Sequence, residues 1–169
     1  THLNKNYDYF PLSGISKLET VYCNELGFFT TYKSDRYGFN NSDYLWDEKI
    51  IDYVLIGDSF VHGACVHNKD NLSNQIMRIS KKNSLNLGMG GNSVLINFAT
   101  IKEYVKKNKV KNVLLFFTED NDLEGLKNEA ENEILKKYLI EKNFSQDLNK
   151  KQKQLDSLLL TVYKNELKK

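Results

Sequence analysis

Three short stretches carry residue types that can do chemistry together: Gly57-Asp58-Ser59, Gly88-Met89-Gly90-Gly91-Asn92 and Glu119-Asp120-Asn121-Asp122. Each follows an apolar run of strand length, at 53–56, 84–87 and 113–117. Gly, Asp and Ser are ordinary punctuation after a strand, so the first stretch has a plain reading as a turn. Its other reading is a nucleophile. A serine hydroxyl attacks poorly until a base takes its proton and donors stabilise the oxyanion that forms. Ser59, between a strand and a helix, brings its own N–H to the helix start as one such donor. A glycine-rich turn lets backbone approach a substrate and offer another N–H. An asparagine at the third stretch adds a side-chain amide. The set is then Ser59, a glycine of 88–91 and Asn121, with Gly57 making the turn, Asp58 ordering it, and Asp122 in support.

The elements that must position these residues follow from apolar spacing. Strand 53–56 is followed by a helix with Leu72, Ile76 and Ile79 at helical spacing. Strand 84–87 leads to a helix with Leu95, Phe98, Ile101 and Val105 on one side. Strand 113–117 leads to a third, carrying Leu123, Leu126, Ala130, Ile134 and Tyr138. Short apolar runs alternating with amphipathic helices predict βαβ units and a parallel sheet covered on both faces. Crossovers of one hand put the strand C-termini on one edge, where ligands of open α/β sheets sit. Ahead of this lie two short strands within 20–33, around Asn24-Glu25-Leu26-Gly27, predicted as a hairpin. The expected division is a hairpin-and-loop extension at 1–48 and an α/β domain at 49–169. Leu148, Leu155, Leu159 and Val162 predict a last amphipathic helix in a lysine-rich segment read as solvated.

The bulk composition excludes several classes. With 169 residues, 40% apolar and 27% charged, the chain fits one globular domain. Twenty-four basic against 22 acidic residues give a net charge of +2, no electrostatic case for nucleic acid. The longest apolar runs are far short of the roughly 20 residues of a membrane span. Cys23 and Cys65 have no metal-ligand spacing, and whether they pair stays open.

"IGDSF", "NLGMGG" and "EDND", in this order, resemble the first three sequence blocks of the SGNH (GDSL-type) hydrolase superfamily. The resemblance covers roughly residues 20 to 160, and the wider stretch is similar to a branch of poorly characterised bacterial proteins. It implies a flavodoxin-like three-layer α/β/α fold with a mostly parallel sheet, preceded here by the N-terminal β-hairpin. It also implies hydrolysis or transfer of an acyl group, including O-acetyl groups on carbohydrates, with no cofactor. Carried over by residue, Ser59 matches the nucleophile. Gly91, closing the Asn-x-x-x-x-Gly pattern from Asn86, matches the backbone oxyanion donor, with Gly88 as the other choice. Asn121 matches the side-chain donor. The partner implied is a small-molecule or carbohydrate ester, and the compartment the cell envelope or periplasm; the cytoplasm stays open.

Two departures stand out. Glu119 occupies a position where that family's third block usually has Gly. The family's last block, Asp-x-x-His, is absent: the histidines are His2, His62 and His67, none with Asp three residues before it. His62 begins the next helical turn after Ser59 rather than facing it. The expectation is a chain truncated at its C-terminus, nearly inert alone for lack of a base. The alternatives are an SGNH-like scaffold that binds without catalysis and a Mg²⁺-dependent phosphohydrolase using Asp58, Glu119, Asp120 and Asp122. A dinucleotide site at "GMGGNS" lacks its third glycine, the position being Ser93. Tyr37, Phe39 and Trp46 are read as packing residues.

Overall fold

The computed structural model describes residues 7–25 and 27–168, with the side chains of Asp120 and Asn121 outside that description. Leu26 of the expected hairpin turn and His2 therefore lie outside the described residues. The elements are β1 (Glu19–Cys23), β2 (Thr30–Lys33), β3 (Ile51–Ile56), α1 (Ser59–His62), α2 (Leu72–Ser80), β4 (Ser84–Asn86), α3 (Val94–Tyr104), β5 (Val110–Leu115), α4 (Glu119–Glu129), α5 (Glu133–Ile140) and α6 (Gln152–Glu166).

β1 and β2 form an antiparallel hairpin, while β3, β4 and β5 form a parallel sheet in the order β4-β3-β5. Tyr53 pairs with Ser84 on one side of β3 and with Asn112 on the other. The central strand is the most apolar, and Val54, Leu55 and Ile56 are fully buried. Leu85, Leu87, Leu95 and Ala99 pack onto it, joined by Leu12, Phe39 and Leu45 from the N-terminal segment. Phe39 packs edge-on to Tyr104, 5.0 Å between ring centroids, and Tyr37 edge-on to Trp46 at 4.7 Å. These rings fill the end of the sheet where β3 and β5 begin.

Several helix faces differ from those expected. In α2 the side facing β4 carries Ser73 and Met77, while Leu72 and Ile79 are exposed. Ser73 donates its hydroxyl to the Ser84 carbonyl at 2.7 Å, so a polar contact sets the helix rotation. The third helix is two helices. Ala130 ends α4, and the Asn132 side chain accepts the Ile134 and Leu135 N–H groups to start α5. A cap of this kind competes well with continued helix because it satisfies donors that have no intrahelical partner. In α3 Phe98 is 40% exposed, and the buried side includes Asn97, Thr100 and Glu103.

Coverage of the sheet is uneven. Val113 and Leu115 on β5 are 41% and 54% exposed, and Phe117 just beyond is 51% exposed. Among the described residues no strand pairs with the outer edge of β5. The expectation of a sheet covered on both faces holds at β3 and fails at β5.

Candidate active-site crevice

β3 runs into Gly57, where a Cβ would stand 2.6 Å from Val61 and 3.2 Å from the Phe116 carbonyl. Only glycine lets α1 fold back this closely while the exit of β5 lies alongside. Asp58 caps α1: its Oδ1 accepts the Phe60 N–H at 3.0 Å, and its Oδ2 accepts the Thr118 hydroxyl at 3.3 Å. The first strand end is thereby tied to the third. Ser59 follows, partly exposed, and its hydroxyl has no hydrogen-bond partner among the described residues.

The second turn is held from below. Asn41 reads Asn86 as a strand would, accepting its N–H at 2.7 Å and donating to its carbonyl at 2.6 Å. Asn86 donates to the Val61 carbonyl at 2.6 Å and accepts the Gly88 N–H at 2.9 Å. A Cβ on Gly88 would lie 2.6 Å from the His62 nitrogen and from Val61 Cβ. Gly88 is thus a packing glycine with its N–H already used, not a donor to a ligand. Gly91 has φ +83° with open space around it, and neither its N–H nor that of Ser59 has an acceptor among the described residues. The α3 start is closed by Glu129, which accepts the Ser93, Leu95 and Ile96 N–H groups; burial holds this carboxyl above its usual range.

At the third strand end Asp122, 1% exposed, accepts the Thr118 N–H at 2.7 Å, and its backbone carbonyl accepts the Ser93 hydroxyl. Gly125 brings α4 against that turn, since a Cβ there would meet Ser93 Cβ at 2.6 Å. Asn121 lies in the first turn of α4, and its side chain, like that of Asp120, is outside the described residues.

The first two turns and the α4 residues Glu124, Gly125 and Asn128 line an open crevice of about 280 Å³. Asp58, Ser59 and Gly91 line it; Gly57, Gly88 and Asp122 are not among its lining and stand behind it as supports. Five lining residues were not among the candidate site residues: Asn92, Ser93, Glu124, Gly125 and Asn128. Asn92 adjoins Gly91 in the quoted turn, and the i, i+4 spacing of Glu124 and Asn128 could have flagged a shared helix face. The Asn92 Nδ2 is enclosed and has no acceptor.

His62 is 2% exposed and turned away from Ser59. Its Nδ1 accepts the Gly90 N–H at 3.2 Å, which leaves Nε2 to carry the proton and donate to the Tyr32 hydroxyl at 2.9 Å. Tyr22 lies over the ring, with centroids 4.4 Å apart. Burial pushes the His62 pKa down to about 4, so the ring is neutral and spent on structure. His67 is exposed and stacks on Phe28. Cys23 and Cys65 form a disulfide that pins β1 to the segment leaving α1. Among the described residues the carboxylates of Asp58, Glu119 and Asp122 do not gather within ligating distance of one another; the one such group is Cys23, Glu25 and Cys65, whose sulfurs are bonded together. Among the described residues no helix is long and apolar enough to cross a membrane.

No protein-family model matches the chain, and no curated protein or solved structure is significantly similar to it.

Proposed function

We propose that this chain is an SGNH-like serine ester hydrolase or acyl transferase domain, with a flavodoxin-like three-layer arrangement. The observation that carries the reading is the shared crevice of Ser59 and Gly91, in which neither N–H group has an acceptor among the described residues. The strand order β4-β3-β5 also supports it, being the 2-1-3 start of the flavodoxin-like order, with the crevice outside the carboxyl ends of the strands. In this reading Ser59 Oγ attacks the ester carbonyl, and the oxyanion meets the N–H groups of Ser59 and Gly91 and the Asn121 amide. The bond to the alcohol breaks, leaving an acyl-Ser59 that water or a second alcohol releases. The substrate is a small-molecule or carbohydrate ester, O-acetyl foremost, and no cofactor takes part.

No described histidine faces Ser59, and with the described residues alone the proton passes to solvent. Turnover is then expected at the residual roughly 10³–10⁴ above water that an oxyanion site and binding supply without a base. Intact-mass detection of acyl-Ser59 after incubation with 4-nitrophenyl acetate tests the reading. Adduct in the wild type and none in Ser59→Ala supports it; adduct equal in both overturns it. Chelator should leave the rate unchanged, and a rate restored only by Mg²⁺ would favour a phosphohydrolase. The burial of His62 between Tyr22 and Tyr32 favours a second reading, a crevice that binds an ester without turning it over.

A further inference from the structure

The crevice has a wall that the acyl chemistry does not use. Glu124 and Asn128, one turn apart on α4, line it together with Gly125. Gly125 seats the α4 backbone directly against Ser93, so these two side chains stand at the rim of the turn that carries Gly91. Both are exposed, and neither side chain makes a hydrogen bond or ion pair with a described residue. Their polar heads are available to a ligand.

The lining is unusual in composition. Small-molecule sites are mostly apolar with a few placed polar groups, yet among the described lining residues none carries a large apolar side chain and none is Lys or Arg. An apolar alcohol finds no large apolar side chain to pack on among these residues. An anionic one meets two carboxylates, Asp58 and Glu124, with no cation between them. Asp58 already spends both oxygens on Phe60 and Thr118, so Glu124 is the one free anion among the described lining residues, and the Asn128 amide stands beside it. A carboxylate that accepts beside an amide that both donates and accepts matches adjacent hydroxyls, each itself donor and acceptor. The volume of about 280 Å³ has room for one small ring.

We propose that this α4 face is the subsite for the alcohol half of the ester, selecting an uncharged, hydroxyl-rich alcohol and rejecting anionic ones through Glu124. The proposal rests on the reading of Ser59 as the acyl-accepting residue, and the experiment separates the two. Hydrolysis of a mono-O-acetylated methyl glucoside is compared with that of the matching methyl glucuronate at low ionic strength. The expected preference is about tenfold or more for the neutral sugar, the size of one like-charge contact in a partly hydrated site. Glu124→Lys should reduce that ratio about tenfold, and Asn128→Ala should raise KM for the glucoside with little change in kcat. Glu131→Lys, beyond the end of α4 and away from the crevice, should leave the ratio alone. Equal rates for the two sugars, a faster glucuronate, or a ratio indifferent to Glu124→Lys would overturn the subsite. Hydrolysis that survives Ser59→Ala would instead overturn the serine reading. If turnover falls below detection, the Gly91 and Gly125 amide shifts report binding of the unacetylated methyl glycosides. Glucoside moving both and glucuronate moving neither supports the subsite; no response to the glucoside, or a stronger one to the glucuronate, defeats it.

Discussion

Protonation of His62 has to break a hydrogen bond, because an imidazolium cannot accept the Gly90 N–H that its Nδ1 now holds at 3.2 Å. The direction of the resulting pH dependence follows from the two states. In the unfolded chain the ring takes up a proton below about 6.5; in the folded protein burial delays this to about 4. The stability from keeping His62 neutral is complete above pH 6.5 and is lost as pH falls toward 4, by a total on the order of 3 kcal/mol. Asp35 and Glu129, whose carboxyls burial holds above their usual range, act in the opposite sense. The His62 part is therefore read as a difference. Urea unfolding at pH 7 and pH 4.5 should show a steeper loss for the wild type than for His62→Gln, and parallel losses would mean that burial does not hold His62 neutral. Asp35 itself accepts from the Tyr37 and Phe39 N–H groups, the Asn41 amide and the Trp46 indole. Asp35→Ala leaves these donors unpaired and should cost about 3 kcal/mol or more in the same measurement.

Between elements, glycine sets how closely α1, α4 and the Gly-rich turn can meet. Gly88→Ala drives a Cβ into backbone at His62 that cannot move aside. It should destabilise by about 2–4 kcal/mol, in the range of severe overpacking. Gly91→Ala meets no atom and pays only for φ +83°, about 1–2 kcal/mol. Denaturation of the two variants should rank them in that order, and the reverse order would mean the turn is built differently. The hairpin adds a covalent constraint. The Cys23–Cys65 bond closes a separation of 42 residues, worth about 4 kcal/mol if it acts by limiting the unfolded chain. Reductant should lower the unfolding midpoint accordingly. It should also speed hydrogen exchange at Gly90, because the hairpin that supports Tyr32 holds His62 in place.

Across the whole molecule, the N-terminal segment around 10–16 is clipped to the C-terminal segment around 146–156, while among the described residues the outer edge of β5 stays open. Ser16 donates through its N–H and hydroxyl to Asp156 on α6, and Phe10 exchanges hydrogen bonds with the Gln146 side chain. Glu103 on α3, 5% exposed, accepts from the Tyr138 hydroxyl and from the Gln146 and Leu148 N–H groups. The C-terminal segment is thus fastened by one buried carboxylate. At the other side, β5 presents Val113 and Leu115 along an unpaired edge, the kind of template on which strands of other chains add. The wild type should then associate with rising concentration in sedimentation, and Leu115→Lys should suppress this while changing stability by less than about 1 kcal/mol. Unchanged association would show that the edge is not the contact.

What the sequence determined by itself is local. Apolar runs and glycine-bearing turns place three strands and the stretches that end them, because strand length, helix period and the freedom of Gly57 or Gly91 depend on near neighbours. Ser59 at the end of a strand was legible for that reason. The tertiary structure alone decided what depends on partners far along the chain. Ser84 rotates α2 so that Ile79 faces outward, Tyr32 removes His62 from the chemistry, and Cys65 finds Cys23. Glu129 caps a helix that begins 35 residues earlier, at Val94. The same holds for Glu124 and Asn128, which became crevice residues only when Gly125 let α4 close on Ser93. Such pairings carry no period, so no window of sequence contains them.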